Sequence, residues 1–258
     1  MSNQQINASD IRNFTIFPIN GGKEVDIASL IMELNYYENI LSNSLTLSVI
    51  IADSGGLDLD PKKEEMVGIL DGIPIRGGER VVVQFSDSQD TPNTLSFSTH
   101  SFYINRIKNI SPGTSKDVFM LELCTREFLA NEQTRVVKRY NSKISDSVTE
   151  ILKDPKGLKT KKNIDADPTV LPYNFIGNDR KPFYVCTWLA TKSVPESLGK
   201  SNGINGAAGY FFFETYDGFK FKAIDVLLDQ PPKDGKKFVY TNAPNIEGES
   251  EYTGKITS

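Results

Sequence analysis

The feature that most limits what this chain can fold into is a strict two-residue alternation. Leu45, Leu47, Val49 and Ile51 are interleaved with Thr46, Ser48, Ile50 and Ala52. Successive side chains of a strand point to opposite faces, so this spacing puts the four apolar residues on one face of a half-buried strand. A helix would scatter them around its circumference. The same period recurs at Val81, Val83 and Phe85, and strands are expected over Leu95–Ile107, Val118–Cys124 and Asn13–Ile19. Upstream, Val25–Tyr37 carries Leu30, Met32, Leu34 and Tyr36 on one face. A turn at Glu38–Asn43 folds that stretch and the next into a long hairpin. Breaks fall at Asp53–Pro61, with Gly55 and Gly56, and at Gly68–Gly78, with Gly72, Pro74, Gly77 and Gly78. A third falls at Asn109–Lys116, with its Ser-Pro-Gly-Thr turn. About six such segments bury their faces only by pairing, which predicts a β-barrel or strongly bent antiparallel sheet over residues 12–128.

The pattern then changes. Ile144, Val148, Ile151 and Leu152 follow helical spacing, opened by Ser142 and closed before Pro155. Pro182 suits a first helical turn, and Phe183, Cys186, Leu189 and Ala190 form one stripe of a helix reaching about Ser193. Between these helices runs a basic, loop-like stretch with Lys153, Lys156, Lys159, Lys161 and Lys162. After the Gly-rich Ser201–Gly209, Tyr210–Glu214 and Phe219–Ala223 read as aromatic strands joined by Thr-Tyr-Asp-Gly. Lys236–Tyr240 is a further strand candidate, and the polar stretch Asn245–Ser258 is expected to close nothing. The fold class expected is α+β and mostly β: a first barrel over 1–128, a helical middle lobe over 129–204 and a second, incomplete β-barrel region over 205–258.

Residue chemistry excludes more than it selects. His100 is the sole histidine and falls inside a predicted strand, with no nucleophile on an elbow turn to serve a triad. Cys124 and Cys186 lack metal-ligand spacing and read as buried reduced thiols. The carboxylate pairs Glu64–Glu65 and Asp58–Asp60 sit in a charged loop, and a chain with 33 acidic residues produces such pairs by chance. Gly203, Gly206 and Gly209 lack the spacing, the preceding strand and the following helix of a phosphate loop. Two features suit nucleic acid: the lysine run, and Phe211, Phe213, Phe219 and Phe221 as a stacking surface. Each also has a plainer reading, as a solvated face and as a packed hairpin. A net charge of −4 offers no global basic field toward nucleic acid or anionic lipid, and 38% hydrophobic with 24% charged residues is ordinary for a globular protein. No catalytic, cofactor-binding or metal-binding residue is nominated, no cofactor is expected, and the chain is read as a non-enzyme.

The start, MSNQQINASDIRN, is polar, and no apolar run approaches the ~18 residues of a membrane helix. The expectation is a chain made and kept in a cytoplasm until assembly. Asn-x-Ser/Thr triplets at Asn7, Asn13 and Asn109 are then chance matches.

Five segments, taken in order, resemble the baseplate hub proteins of contractile-tailed phages. Tyr36–Asp53 resembles that family's first long hairpin. Leu70–Glu79 is similar to its Leu-Pro-Ile-x-Gly-Gly-Glu turn, Ile144–Leu152 to its Ile-Ser-Asp…Ile-Leu helix, and Pro182–Ala190 to its Pro-Phe…Trp-Leu-Ala helix. Phe212–Leu228 resembles its Phe-Phe-Glu-x-x-x-Gly-Phe-x-Phe-x-x-Ile-Asp-x-Leu hairpin. The resemblance implies a homotrimer with two tube-type barrels per subunit, making a pseudo-sixfold ring. That ring joins a hexameric tail tube to a trimeric central spike, and the tape measure protein and then DNA pass its lumen without specific binding. It also implies a virion baseplate protein, assembled in the host cytoplasm and related to the hub part of type VI secretion spike proteins. The family's second barrel finishes well beyond the hairpin, whereas this chain ends at Ser258, hence the incomplete second barrel. The alternatives are a nucleic-acid-binding β-barrel protein and a hub with cell-wall hydrolase activity.

Overall fold

The alternating segments pair into one curled antiparallel sheet. The computed structural model describes residues 10–19, 21–54, 75–86, 94–111, 117–196, 209–231, 237–240 and 252–256. The sheet consists of β1 (Asp10–Phe17), β2 (Val25–Asp26), β3 (Ile31–Tyr37), β4 (Thr46–Asp53), β5 (Arg80–Ser86), β6 (Thr94–Ser96), β7 (Phe102–Ser111) and β8 (Asp117–Thr125). Their order is β2-β1-β5-β7-β8-β4-β3, with β6 beside β5. Leu45, Leu47, Val49 and Ile51 are all buried, as their alternation requires, and they share a core with Phe14, Phe102, Ile104 and Phe119. Full burial of each such side chain stabilises the fold by about 1.5–3 kcal/mol.

Two predicted strands are divided. Val25–Tyr37 is interrupted by a 3-10 turn at Ala28–Leu30, where the Leu30 N–H donates to the Ile27 carbonyl. As a result β2 pairs with β1 and β3 pairs with β4, at opposite ends of the strand order. One continuous segment thus supplies the strands at both ends of the curled sheet. A register shift between Ile31 and Glu33 also turns Met32 outward, 64% exposed, while Ile31, Leu34 and Tyr36 pack on the core. An extra residue at a bulge flips the alternation before it, which period-two reading does not see. Leu95–Ile107 likewise splits into β6 and β7 at a bend over Ser98–His100, so His100 lies in a connection and not in a strand.

The turn before β5 explains its glycines. Gly77 and Gly78 both have positive φ, +96° and +88°. The N–H groups of Arg76 and Gly77 donate to the buried Glu79 carboxylate at 2.7 and 2.9 Å, and the Gly78 N–H donates to the Ile104 carbonyl at 2.6 Å. The carboxylate holds a backbone shape that β-carbon-bearing residues rarely adopt.

Beyond β8 the chain builds a second core. Helix α1 (Arg126–Gln133) follows β8 directly, then β9 (Arg139–Tyr140), α2 (Ile144–Lys153), β10 (Asn163–Ala166), β11 (Phe175–Ile176) and α3 (Pro182–Ala190). β12 (Tyr210–Thr215), β13 (Gly218–Ala223) and α4 (Ile224–Leu228) complete it. β12 and β13 form the expected hairpin, β10 adds to β13 in parallel, and β9 pairs with β11. The residues between the helices are therefore not simply a loop: Leu158 is fully buried, and the stretch leads into β10. Helix α2 buries Ile144, Val148, Ile151 and Leu152, but Lys143 occupies its N-cap, and the Ser142 hydroxyl pairs with that of Ser147 at 2.9 Å. Helix α3 stops at Ala190, short of Ser193. The tail expected to close nothing supplies β15 (Tyr252–Ile256), parallel to β14 (Lys237–Tyr240).

The stripe of α3 packs on the hairpin. The Phe183 ring lies 5.7 Å from those of both Phe212 and Phe219, and Leu189 and Cys186 are fully buried. Leu189→Ala should cost about 2–5 kcal/mol, the range for emptying a buried leucine site. Urea unfolding read by circular dichroism would measure it, and a loss near zero would contradict the packing.

Candidate functional site

The groups singled out for chemistry do not converge. His100 stands between β6 and β7, and burial, then the nearby Lys162 ammonium, hold its imidazole below the usual range. Cys124 and Cys186 are free and buried, Cys186 within the second core. Burial, then Glu214, pushes the Cys124 thiol up to about 12, and burial also raises that of Cys186. Glu64–Glu65, Asp58–Asp60, Gly203 and Gly206 lie outside the described residues. Among the described residues no group of three or more His, Cys, Asp or Glu could hold a metal ion, and no helix is long and apolar enough to cross a membrane. Phe213, Phe219 and Phe221 are buried, so the hairpin offers no open platform for stacking bases.

What converges instead is a buried ionic cluster where the curled sheet meets the second core. Glu214 projects from β12, Glu127 from the first turn of α1, and Lys162 from the residue before β10. The three are 0%, 3% and 7% exposed. The Lys162 ammonium donates to Glu214 Oε1 and lies 3.4 Å from Glu127 Oε2. Glu214 Oε2 reaches into the sheet, accepting from the Leu45 N–H at 3.0 Å and the Thr125 hydroxyl at 3.1 Å. The Thr160 hydroxyl donates to Glu127 Oε1 at 2.9 Å. Burial raises the Glu214 carboxyl and outweighs the pull of Lys162. Burial also pushes Glu127 upward, but Lys162, the Thr160 hydroxyl and the Arg126 guanidinium together hold it below its usual range. Lys162 is therefore shared between two carboxylates with opposite shifts.

Neighbouring contacts tie the same junction. The Tyr216 N–H donates to Glu38 at 3.2 Å, and the Tyr216 ring meets Phe97 edge-on at 5.2 Å. The Thr187 hydroxyl of α3 donates to Asn43 at 3.3 Å. The hairpin Tyr36–Asp53, the helix Pro182–Ala190 and the hairpin Phe212–Leu228 thus meet at one place, although nothing in their spacing along the chain requires it. Of the three ionic residues only Lys162 was singled out from sequence, as one of the lysine run and not as a partner of buried carboxylates. The readable signal was Glu214 itself, since Tyr210, Phe212 and Glu214 share one face of a strand and the first two are core aromatics.

No family model matches the chain, and no curated protein matches it in sequence. Solved structures do. The 43 kDa tail protein of prophage MuSo2 from Shewanella oneidensis matches with 11% identity and a TM-score of 0.46, over 82% of this chain and 54% of that one. A tail protein from Neisseria meningitidis matches at 11% and 0.46, over 84% and 50%. An E. coli type VI secretion component, described as structurally similar to bacteriophage tail proteins, matches at 10% and 0.42, over 92% and 50%. The chain spans about half the length of these structures.

Proposed function

We propose that this chain is a non-catalytic structural subunit of a phage-type tail baseplate. In this reading it is a hub that forms a homotrimeric, pseudo-sixfold ring between a hexameric tail tube and a trimeric central spike. The tape measure protein and DNA pass through its lumen, and the protein resides in the virion.

The observation that carries the reading is the junction. Three of the segments that resemble the hub family in sequence pack against one another there, joined by Glu38, Asn43 and Glu214. Segments matched only by chance have no reason to share an interface. An assembly role also suits the surface. Met32 on edge strand β3, Leu41 in the β3–β4 turn, and Leu171, Ile176 and Tyr184 on the second unit are large and more than half exposed. An exposed apolar side chain on an edge strand, such as Met32, suits a surface that a partner strand covers.

Images of the purified ring or the assembled tail should show three copies around an open channel with a polar, neutral or acidic wall. A basic wall would hold DNA through its phosphates and slow its exit. Six copies per ring, a ring without a channel, or a wall dominated by Lys153–Lys162 would overturn the reading. Cell-wall digestion by the purified chain would favour the hydrolase alternative.

A further inference from the structure

The lysine run separates in space. Lys162 is buried in the ionic cluster, Lys153 and Lys156 border the groove beside Val136 and Tyr140, and Lys159 and Lys161 turn to a different cleft. That cleft, of about 650 Å³, is also lined by Arg80, Arg126 and His100. Three parts of the chain distant in sequence therefore bring cations together: Arg80 at the start of β5, Arg126 at the start of α1, and Lys159 and Lys161 in the stretch after α2, while the β6–β7 connection adds Ser98, Thr99 and His100 to the wall.

The two guanidinium groups are held in place. The Arg80 guanidinium lies 3.7 Å over the Phe17 ring. Arg126 donates to the carbonyls of Leu158 and Lys159 at 2.6 and 2.9 Å. Lys159 takes a left-handed backbone, φ +48°, which a side-chain-bearing residue keeps only when its surroundings impose it. Lys159 and Lys161 also lack counter-charge. Other lysines of the second unit meet carboxylates: Lys138 with Glu150, Lys143 with Glu196, Lys181 with Glu132, and Lys222 with Asp165 and Asp167. Among the described residues no ion pair joins Lys159 or Lys161. Among the described residues the one carboxylate lining the cleft, Glu127, is buried and committed to Lys162, Thr160 and Arg126. In a chain of net charge −4 this is not a by-product of a basic composition. Like charges brought together without counter-ions repel, and they favour an anion that fills the space between them.

We infer that this cleft binds a ligand carrying two or more neighbouring phosphate groups. Planar guanidinium forks and compact ammonium groups suit phosphate oxygens, and the Ser98 and Thr99 hydroxyls add neutral donors along the wall. Several cations against one committed carboxylate, in a space larger than one phosphate fills, favour a polyphosphate over a single anion. The phosphates come either from a small free molecule or from a nucleic-acid backbone. The inference does not rest on the assembly reading.

Calorimetric titration of the intact chain at low salt tests it, with inorganic pyrophosphate, a short single-stranded oligonucleotide and short poly-glutamate as probes. Pyrophosphate should bind saturably. Binding should weaken about tenfold or more in Lys159→Glu/Lys161→Glu, as expected when charge-assisted contacts are lost. It should be unchanged in Lys153→Glu/Lys156→Glu, the same charge change outside the cleft. All four lysines are exposed, and an unchanged unfolding midpoint would show that the variants are folded. An oligonucleotide that competes with pyrophosphate identifies a nucleic-acid backbone as the source, and one that does not bind identifies a free polyphosphate. Three results would overturn the inference: no pyrophosphate binding, equal weakening in both variants, or tighter binding of poly-glutamate. An oligonucleotide that binds without displacing pyrophosphate would place nucleic-acid contact elsewhere and leave the free molecule as the cleft's ligand.

Discussion

Lys162→Met should destabilise the fold by about 3–5 kcal/mol, the range for removing one partner of a buried charge pair. Methionine fills similar space, so the loss comes from charge and not from a cavity. Without the ammonium, Glu214 and Glu127 remain nearly fully buried with no cation between them. Both folded-state pKa values then rise above the unfolded value. A carboxyl raised in the fold contributes stability that is present below its unfolded pKa and lost as pH rises through its folded pKa. The variant's deficit should therefore be smaller at pH 5 than at pH 8. In the parent chain the two carboxyls act in opposite directions, Glu214 raised and Glu127 lowered, so its own pH dependence from this cluster is weaker. Urea unfolding of both proteins at the two pH values checks this. Adding Glu214→Gln should recover part of the loss, because glutamine keeps an acceptor for the Leu45 N–H while removing one buried charge. A deficit that does not change with pH would mean that the two carboxylates do not stay buried together.

The elements legible in sequence were those whose apolar pattern is strict and whose partners are apolar. β4 is the clear case: four alternating residues predict four buried side chains. The α2 and α3 stripes and the Tyr210–Ala223 hairpin follow the same logic. What escaped was decided elsewhere. Met32 faces outward because of a bulge set by pairing with β4, and the 3-10 turn at Ala28–Leu30 exists because the chain must pass between sheet ends. Helix α1, Arg-Glu-Phe-Leu-Ala-Asn-Glu-Gln, carries too little apolar pattern to announce itself. It is fixed by Glu127 in the ionic cluster and by Asn131, which accepts from the Phe183 N–H at 2.8 Å. β10 is short and pairs with a strand far along the chain. The junction was unreadable for the same reason: Glu127, Lys162 and Glu214 lie in three separate segments, and only the tertiary fold gives a lysine among other lysines its two carboxylates.

Gly218→Ala should be nearly as damaging although it adds a single methyl group. Gly218 opens β13 with φ +129°, a conformation that L side chains rarely adopt. A β-carbon there would stand 2.3 Å from the Asn163 carbonyl oxygen and 3.0 Å from the Asn163 nitrogen, both backbone atoms. Backbone cannot swing aside as the end of a flexible side chain can, so β10 must move off β13 and break the pairing that starts at Asn163↔Gly218. Lys162 immediately precedes Asn163, so the displacement also pulls its ammonium from Glu214 and Glu127. Strain and overlap together should cost about 2–6 kcal/mol. Gly22→Ala is the control, with no atom nearer than 3.4 Å and ordinary backbone, and it should be close to neutral. Thermal unfolding of the two variants beside the parent separates them. If Gly218→Ala melted with Gly22→Ala, the parallel pairing of β10 and β13 would be wrong, and with it the route by which Lys162 reaches the junction.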